Sequence, residues 1–124
     1  MTGQLSNDWV LFRYADILLT KAEALARKAG NWNDPTALAL VNQIRETHGG
    51  VTPYVTMTAA TFLAERGREM FFEATRRQDM IRFGIYNNAF MFHPADASTH
   101  VNLFPIPATV IDASGGKLKQ NPGY

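Results

Sequence analysis

The chain has 124 residues, a hydrophobic fraction of 46% and a formal net charge of +1 from 12 basic and 11 acidic side chains. That length suits one domain, residues 1–124, and the balanced charge leaves no field able to hold a nucleic-acid backbone or an anionic membrane. The absence of cysteine excludes disulfides, thiolate metal sites and cysteine nucleophiles, and no run approaches the ~18 apolar residues of a membrane span.

The opening stretch, residues 1–8, is polar and has no apolar signal core, so any targeting segment would lie upstream. Trp9 reads as a packing anchor ahead of Leu11 and Phe12. From Leu11 onward, Tyr14, Ala15, Leu18, Ala22, Leu25, Ala26 and Ala29 fall at the one-sided spacing of an amphipathic helix. Lys21, Arg27 and Lys28 load its second half with positive charge, which suits a helix C-terminus, and Gly30 ends it. Asn33 or Asp34 can cap the next helix, with Pro35 in its first turn. That helix carries Ala37, Leu38, Val41, Ile44 and Arg45 and stops at Gly49-Gly50. Residues 11–48 are thus expected to form an antiparallel helix hairpin with a small-residue seam of Ala15, Ala22, Ala26, Ala37 and Ala39. Its size is that of a tetratricopeptide unit, whose period is ~34 residues. A single copy cannot bury its own apolar face.

Residues 51–57 read as a loop or short extended piece containing Pro53. Thr58 or Thr61 caps a third helix. Thr61 and Glu65 are one residue too far apart for the usual capping box, while Thr58 and Thr61 lack the acid. Phe62, Leu63, Met70 and Phe71 share one side of this helix, and Phe62, Phe71 and Phe72 are expected in the core. A break near Ala74-Thr75 precedes a fourth helix over 76–83, ended by Gly84. Residues 85–102 lack a period and read as a long structured loop. The two prolines of Leu103-Phe104-Pro105-Ile106-Pro107 exclude a central strand or a helix interior. A helical turn over 109–112, a turn at 114–116 and a coil over 120–124 complete a mainly α chain with a kinked helix pair and a coil-rich tail.

The three histidines, His48, His93 and His100, form no HExxH pair and have no carboxylate at ligand spacing from two of them, so no metal is implied. Nucleotide-binding glycine motifs and a GxSxG elbow are also absent, and no cofactor is implied. The dense polar constellation is Glu65, Arg66, Arg68, Glu69, Glu73, Arg76, Arg77, Asp79 and Arg82. Its carboxylates could in principle serve acid/base work on a glycan. Arginines interleaved at three- and four-residue offsets instead favour ion pairs and low carboxylate pKa values, the opposite of what a general acid needs. Among the aromatics, Trp32 at the hairpin tip reads as a wedge between helices before it reads as a sugar platform. Trp9, Tyr54 and Tyr86 could also stack on a sugar face, and Tyr86 in the long loop is the least constrained by packing.

The order of motifs resembles the SusD/RagB family. Leu11-Phe12-Arg13-Tyr14-Ala15-Asp16-Ile17-Leu18-Leu19, with Ala22-Glu23-Ala24, is similar to the family's first conserved helix. Val41-Asn42-Gln43-Ile44-Arg45 resembles its second. Glu65-Arg66, Glu69 and Phe72-Glu73, then Arg76, Asp79, Ile81-Arg82 and Gly84, resemble the next two blocks. Leu103-Phe104-Pro105-Ile106-Pro107 and the terminal Gln120-Asn121-Pro122-Gly123-Tyr124 resemble the last two. Ala74 stands where the family often has glycine, and Arg77 and Gln78 where it often has aromatics, which makes this corner more polar.

The resemblance implies a SusD-like α-α superhelix fragment, the C-terminal part of a longer outer-membrane lipoprotein. Such a protein captures oligosaccharides without catalysis and delivers them to a SusC-like TonB-dependent transporter. It further implies that Arg13, Asp16, Glu23, Glu65, Arg66, Glu69, Glu73, Arg76, Asp79 and Arg82 tie the helices and the C-terminal coil together. No sugar-contacting residue matches a family motif. The alternatives are a tetratricopeptide-type protein-interaction module and a glycan hydrolase using Glu65 or Glu69.

Overall fold

The computed structural model describes residues 11–124, so Trp9 lies outside the described residues. Its described elements are helical: α1 (Tyr14–Ala29), α2 (Pro35–Thr47), α3 (Ala59–Glu69), α4 (Arg76–Arg82), a 3₁₀ turn at Thr99–Asn102 and α5 (Ala108–Ala113). The chain divides into two compact units, one ending at Ala74 and one running from Thr75 to Tyr124.

In the first unit, α1 and α2 pack as the expected hairpin. Asp34 caps α2 by accepting hydrogen bonds from the backbone N–H groups of Thr36 and Ala37, at 3.0 and 2.9 Å. Gly30 ends α1 in the left-handed conformation. The core consists of Ala15, Leu18, Leu19, Ala22 and Ala26 from α1, Ala37, Val41 and Ile44 from α2, and Met57, Phe62, Leu63 and Met70. Fully buried Ala22 and Ala37 carry only a methyl group each, which permits a close helix approach.

Several expectations are corrected. Leu11 and Tyr14 are exposed, and Leu19 takes a core place instead. The helix starts at Tyr14 because Arg13 is extended. Ala39 lies outside the seam, on the exposed side of α2. Phe62 is fully buried, whereas Phe71 is 70% exposed and Phe72 90% exposed. The reason is local: α3 ends at Glu69, so its periodicity no longer governs residues 71 and 72, and Phe72 takes a left-handed φ of 64°.

The α3 cap is a box in which Thr61 does the work of the missing acid. Thr58 Oγ1 accepts from the Thr61 backbone N–H at 3.2 Å, and Thr61 Oγ1 accepts from the Thr58 backbone N–H at 2.7 Å. Ala74 also adopts a left-handed φ, of 57°. A Cβ there costs ~1–2 kcal/mol, partly offset by the greater unfolded-state freedom of glycine. Ala74→Gly is therefore expected to stabilise the protein by about 0.5–1 kcal/mol. A denaturation midpoint that stays put or falls would contradict this.

In the second unit, Asp79 is buried and accepts a hydrogen bond from Arg82 at 2.7 Å. The segment around Pro105 has no strand partner, and side chains of the terminal coil supply the hydrogen bonds instead. The Ile106 backbone N–H donates to Gln120 Oε1 and Gln120 Nε2 donates to the Ile106 carbonyl, both at 2.8 Å. Asn121 Nδ2 donates to the Phe104 carbonyl at 2.7 Å, and the Tyr124 hydroxyl to the Leu103 carbonyl at 2.9 Å. These contacts satisfy backbone groups that two prolines keep out of any ladder. Gly123 closes the coil with a φ of 96°, and a Cβ there would fall 2.5 Å from the His100 Cβ.

Candidate functional site

The first unit holds a cleft of about 390 Å³ at the C-terminal end of α2, closed by the turn that follows it and by α3. Arg45 and His48 come from α2 and its cap, Tyr54 from the connecting segment, and Glu65, Arg68 and Glu69 from α3. Ile44 and Val51 form the apolar part of the wall. The Asn42 side-chain amide fixes the connecting segment: its Oδ1 accepts from the Tyr54 backbone N–H at 2.7 Å, and its Nδ2 donates to the Tyr54 carbonyl at 2.9 Å.

Two carboxylates organise the site. Glu65 Oε2 accepts from Arg45 Nη1, from Arg68 Nη2 at 2.5 Å and from the Tyr54 hydroxyl at 3.1 Å. The Arg45 guanidinium lies 3.8 Å from the Tyr54 ring centre, a cation–π contact that holds both groups in place. Arg45 also donates to the Thr52 carbonyl at 2.8 Å. Glu69 Oε1 accepts from Arg13 Nη1 and lies 2.7 Å from His48 Nδ1. Arg13 spans further, donating to Glu73 Oε1 at 2.7 Å and to the Glu69 carbonyl at the end of α3. A guanidinium there satisfies an orphan carbonyl and complements the helix dipole.

These contacts set the protonation states. Burial pushes the Glu65 carboxyl up, but hydrogen bonds from Arg68 and Tyr54 and the charges of Arg68 and Arg45 bring it below its ordinary value. Glu69 follows the same pattern, with Arg13 and His48 outweighing its burial. Burial alone would lower the Arg13 pKa, yet Glu69 and Glu73 raise it. Both carboxylates therefore stay ionised, the wrong state for donating a proton to a leaving group.

A pH dependence follows with a definite sign. A folded carboxylate pKa held below its unfolded value near 4.5 adds stability that is complete above that value. The stabilisation is lost as pH falls through the depressed folded values. The melting temperature is expected to be level from neutral pH down to about pH 5 and to fall below that. The acid slope should be shallower in Glu69→Gln. A melting temperature that holds to about pH 3 would refute the coupling.

The other residues singled out from the sequence lie elsewhere. Asp16 pairs with Arg66 at 2.8 Å, bracing α1 against α3. Glu23 is buried and pairs with Arg27 at 2.8 Å. Arg76 opens α4 on its exposed side. Asp79 and Arg82 pair within the second unit, so the constellation resolves into separate clusters.

Trp32 is half-buried, with its ring centre 5.3 Å from that of Phe62 and the Arg27 guanidinium 5.7 Å away. Tyr86 is half-buried under the Arg77 guanidinium at 5.3 Å. The same guanidinium lies 4.1 Å from the Phe104 ring centre, and Arg77 donates to the Val101 carbonyl at 2.8 Å. Neither Trp32 nor Tyr86 lines the cleft. Of the aromatics that the sequence offers for sugar stacking, Tyr54 lines the cleft, whereas Arg45 and His48 are not marked as a site by the sequence. Arg45 sits in a recognisable motif, whereas His48 carries no local signal.

The SusD family model matches residues 1–124. The starch-binding protein SusD of Bacteroides thetaiotaomicron is 30% identical over 126 residues, covering 95% of this chain and 22% of that protein. Among solved structures, surface glycan-binding protein A from Bacteroides thetaiotaomicron matches with a TM-score of 0.69 and 31% sequence identity, over 90% of this chain and 24% of that one. The chain thus spans less than a quarter of the length of either relative.

Proposed function

The chain belongs to the SusD family, and from that premise we propose that it is the C-terminal segment, residues 1–124, of a non-catalytic glycan-binding protein. The intact protein is a lipoprotein of the outer-membrane surface that captures oligosaccharides and passes them to a SusC-like TonB-dependent transporter. The names of its relatives, a starch-binding and a surface glycan-binding protein, support the ligand class.

The observation that carries the non-catalytic reading is the state of Glu65 and Glu69. Each is hydrogen-bonded to cations and held ionised, whereas glycoside hydrolysis needs one carboxyl kept protonated. Calorimetric titration of the full-length protein with a panel of neutral oligosaccharides is expected to give saturable heat with one sugar class. The same mixtures should release no new reducing ends. Turnover that disappears in Glu69→Gln would overturn the reading.

A further inference from the structure

We propose that the cleft between α2 and α3 is itself a sugar subsite, taking one neutral pyranose unit or the end of a short neutral oligosaccharide. The proposal rests on the glycan-binding reading and places a specific binding point in a segment where no family motif marks one. A volume of about 390 Å³ lies within the ~300–1,000 Å³ range of small-molecule sites and is large enough for a sugar ring.

The hydrogen-bonding pattern selects the ligand class. All three donors to Glu65 fall on Oε2, which leaves Oε1 to accept from a ligand. Both partners of Glu69 fall on Oε1, which leaves its Oε2 in the same position. Beside these acceptors stands a donor, the guanidinium of Arg68, whose side chain is 58% exposed. Neighbouring hydroxyls on a sugar ring each donate and accept, so an acceptor next to a donor matches a vicinal diol. Ile44 and Val51 supply an apolar wall for the ring's C–H face.

Charge excludes the alternatives. In the cleft lining Arg45 and Arg68 balance Glu65 and Glu69, so no net charge is left to hold an ionic ligand. Phosphate or a uronate would gain no net Coulomb attraction there. The polar groups are already fixed by hydrogen bonds to one another, so a ligand would bind with little further ordering of side chains.

The test follows the methyl resonances of Ile44 and Val51 in the full-length protein during titration with methyl glucoside, methyl galactoside and methyl mannoside. Glucuronate and inorganic phosphate serve as charged probes. A saturable shift is expected with at least one neutral glycoside, weakened roughly tenfold in Arg68→Ala and absent with the charged probes. Val51→Trp, at a position 44% exposed, should fill the cleft and abolish the shift while leaving the melting temperature unchanged. Calorimetric binding of oligosaccharide without any shift at Ile44 and Val51 would overturn this subsite and leave the family reading standing. No heat with any sugar would remove both. Equal shifts with glucuronate or phosphate would overturn the neutral-ligand assignment.

Discussion

Phe62→Ala is expected to destabilise the first unit by about 3–5 kcal/mol, the range for deleting a fully buried aromatic side chain. Phe62 has no exposed surface and lies against Trp32, where the hairpin tip meets α3. Its removal forfeits the transfer free energy of the ring and leaves a cavity bounded by helices already braced by ion pairs, which limits collapse. Chemical denaturation followed by helical circular dichroism measures the loss. Phe72→Ala is the matched control. The same side chain removed from a position 90% exposed should change stability by less than about 0.5 kcal/mol. Similar losses at the two positions would mean that the core is misassigned.

Glu65→Ala is expected to cost about 3 kcal/mol. The change removes the acceptor shared by Arg45, Arg68 and Tyr54, and the side chains of Arg45 and Glu65 are only 12% and 8% exposed. Arg45 keeps the Thr52 carbonyl but loses its counter-charge in a place that water reaches poorly. Arg68 is solvated enough to tolerate the loss, so Arg68→Ala should cost under about 1 kcal/mol. The double change Glu65→Leu with Arg45→Met should recover most of the stability, because it removes the buried charge along with its partner. A double variant no better than Glu65→Ala would show that packing, rather than the stranded charge, sets the cost.

Both predictions rest on contacts of differing visibility in the sequence. The hairpin was legible because its determinants are local. Apolar spacing within α1, Asp34 and Pro35 at the start of α2, and Gly30 after α1 act over a few residues each. The α3 cap was half legible. Thr58 announces it, but a threonine hydroxyl taking the place of the acid three residues on is a substitution that a pattern search passes over. Phe71 and Phe72 misled for the same local reason. The apolar helical spacing of α3 continues in the sequence past Glu69, where the chain leaves the helix, and the left-handed turn at Phe72 leaves its ring exposed.

The cleft was not legible as a site. Arg45, His48, Tyr54, Glu65, Arg68 and Glu69 arrive from two helices and the segment between them. The interleaved arginines on α3 suggested that Glu65 would pair within its own helix. Arg68 does so, but the deeper partner is Arg45, 20 residues away. Glu69 likewise turns to Arg13, 56 residues away. By itself, the amino-acid sequence determined the mainly helical class, the hairpin with its caps, the absence of thiolate chemistry and the family, because short-range periodicity, capping and ordered motifs specify these. The tertiary structure alone decided which arginine neutralises which carboxylate and which aromatics are buried. Those choices depend on distances between helices, and side chains far apart in the chain meet only once the helices have packed.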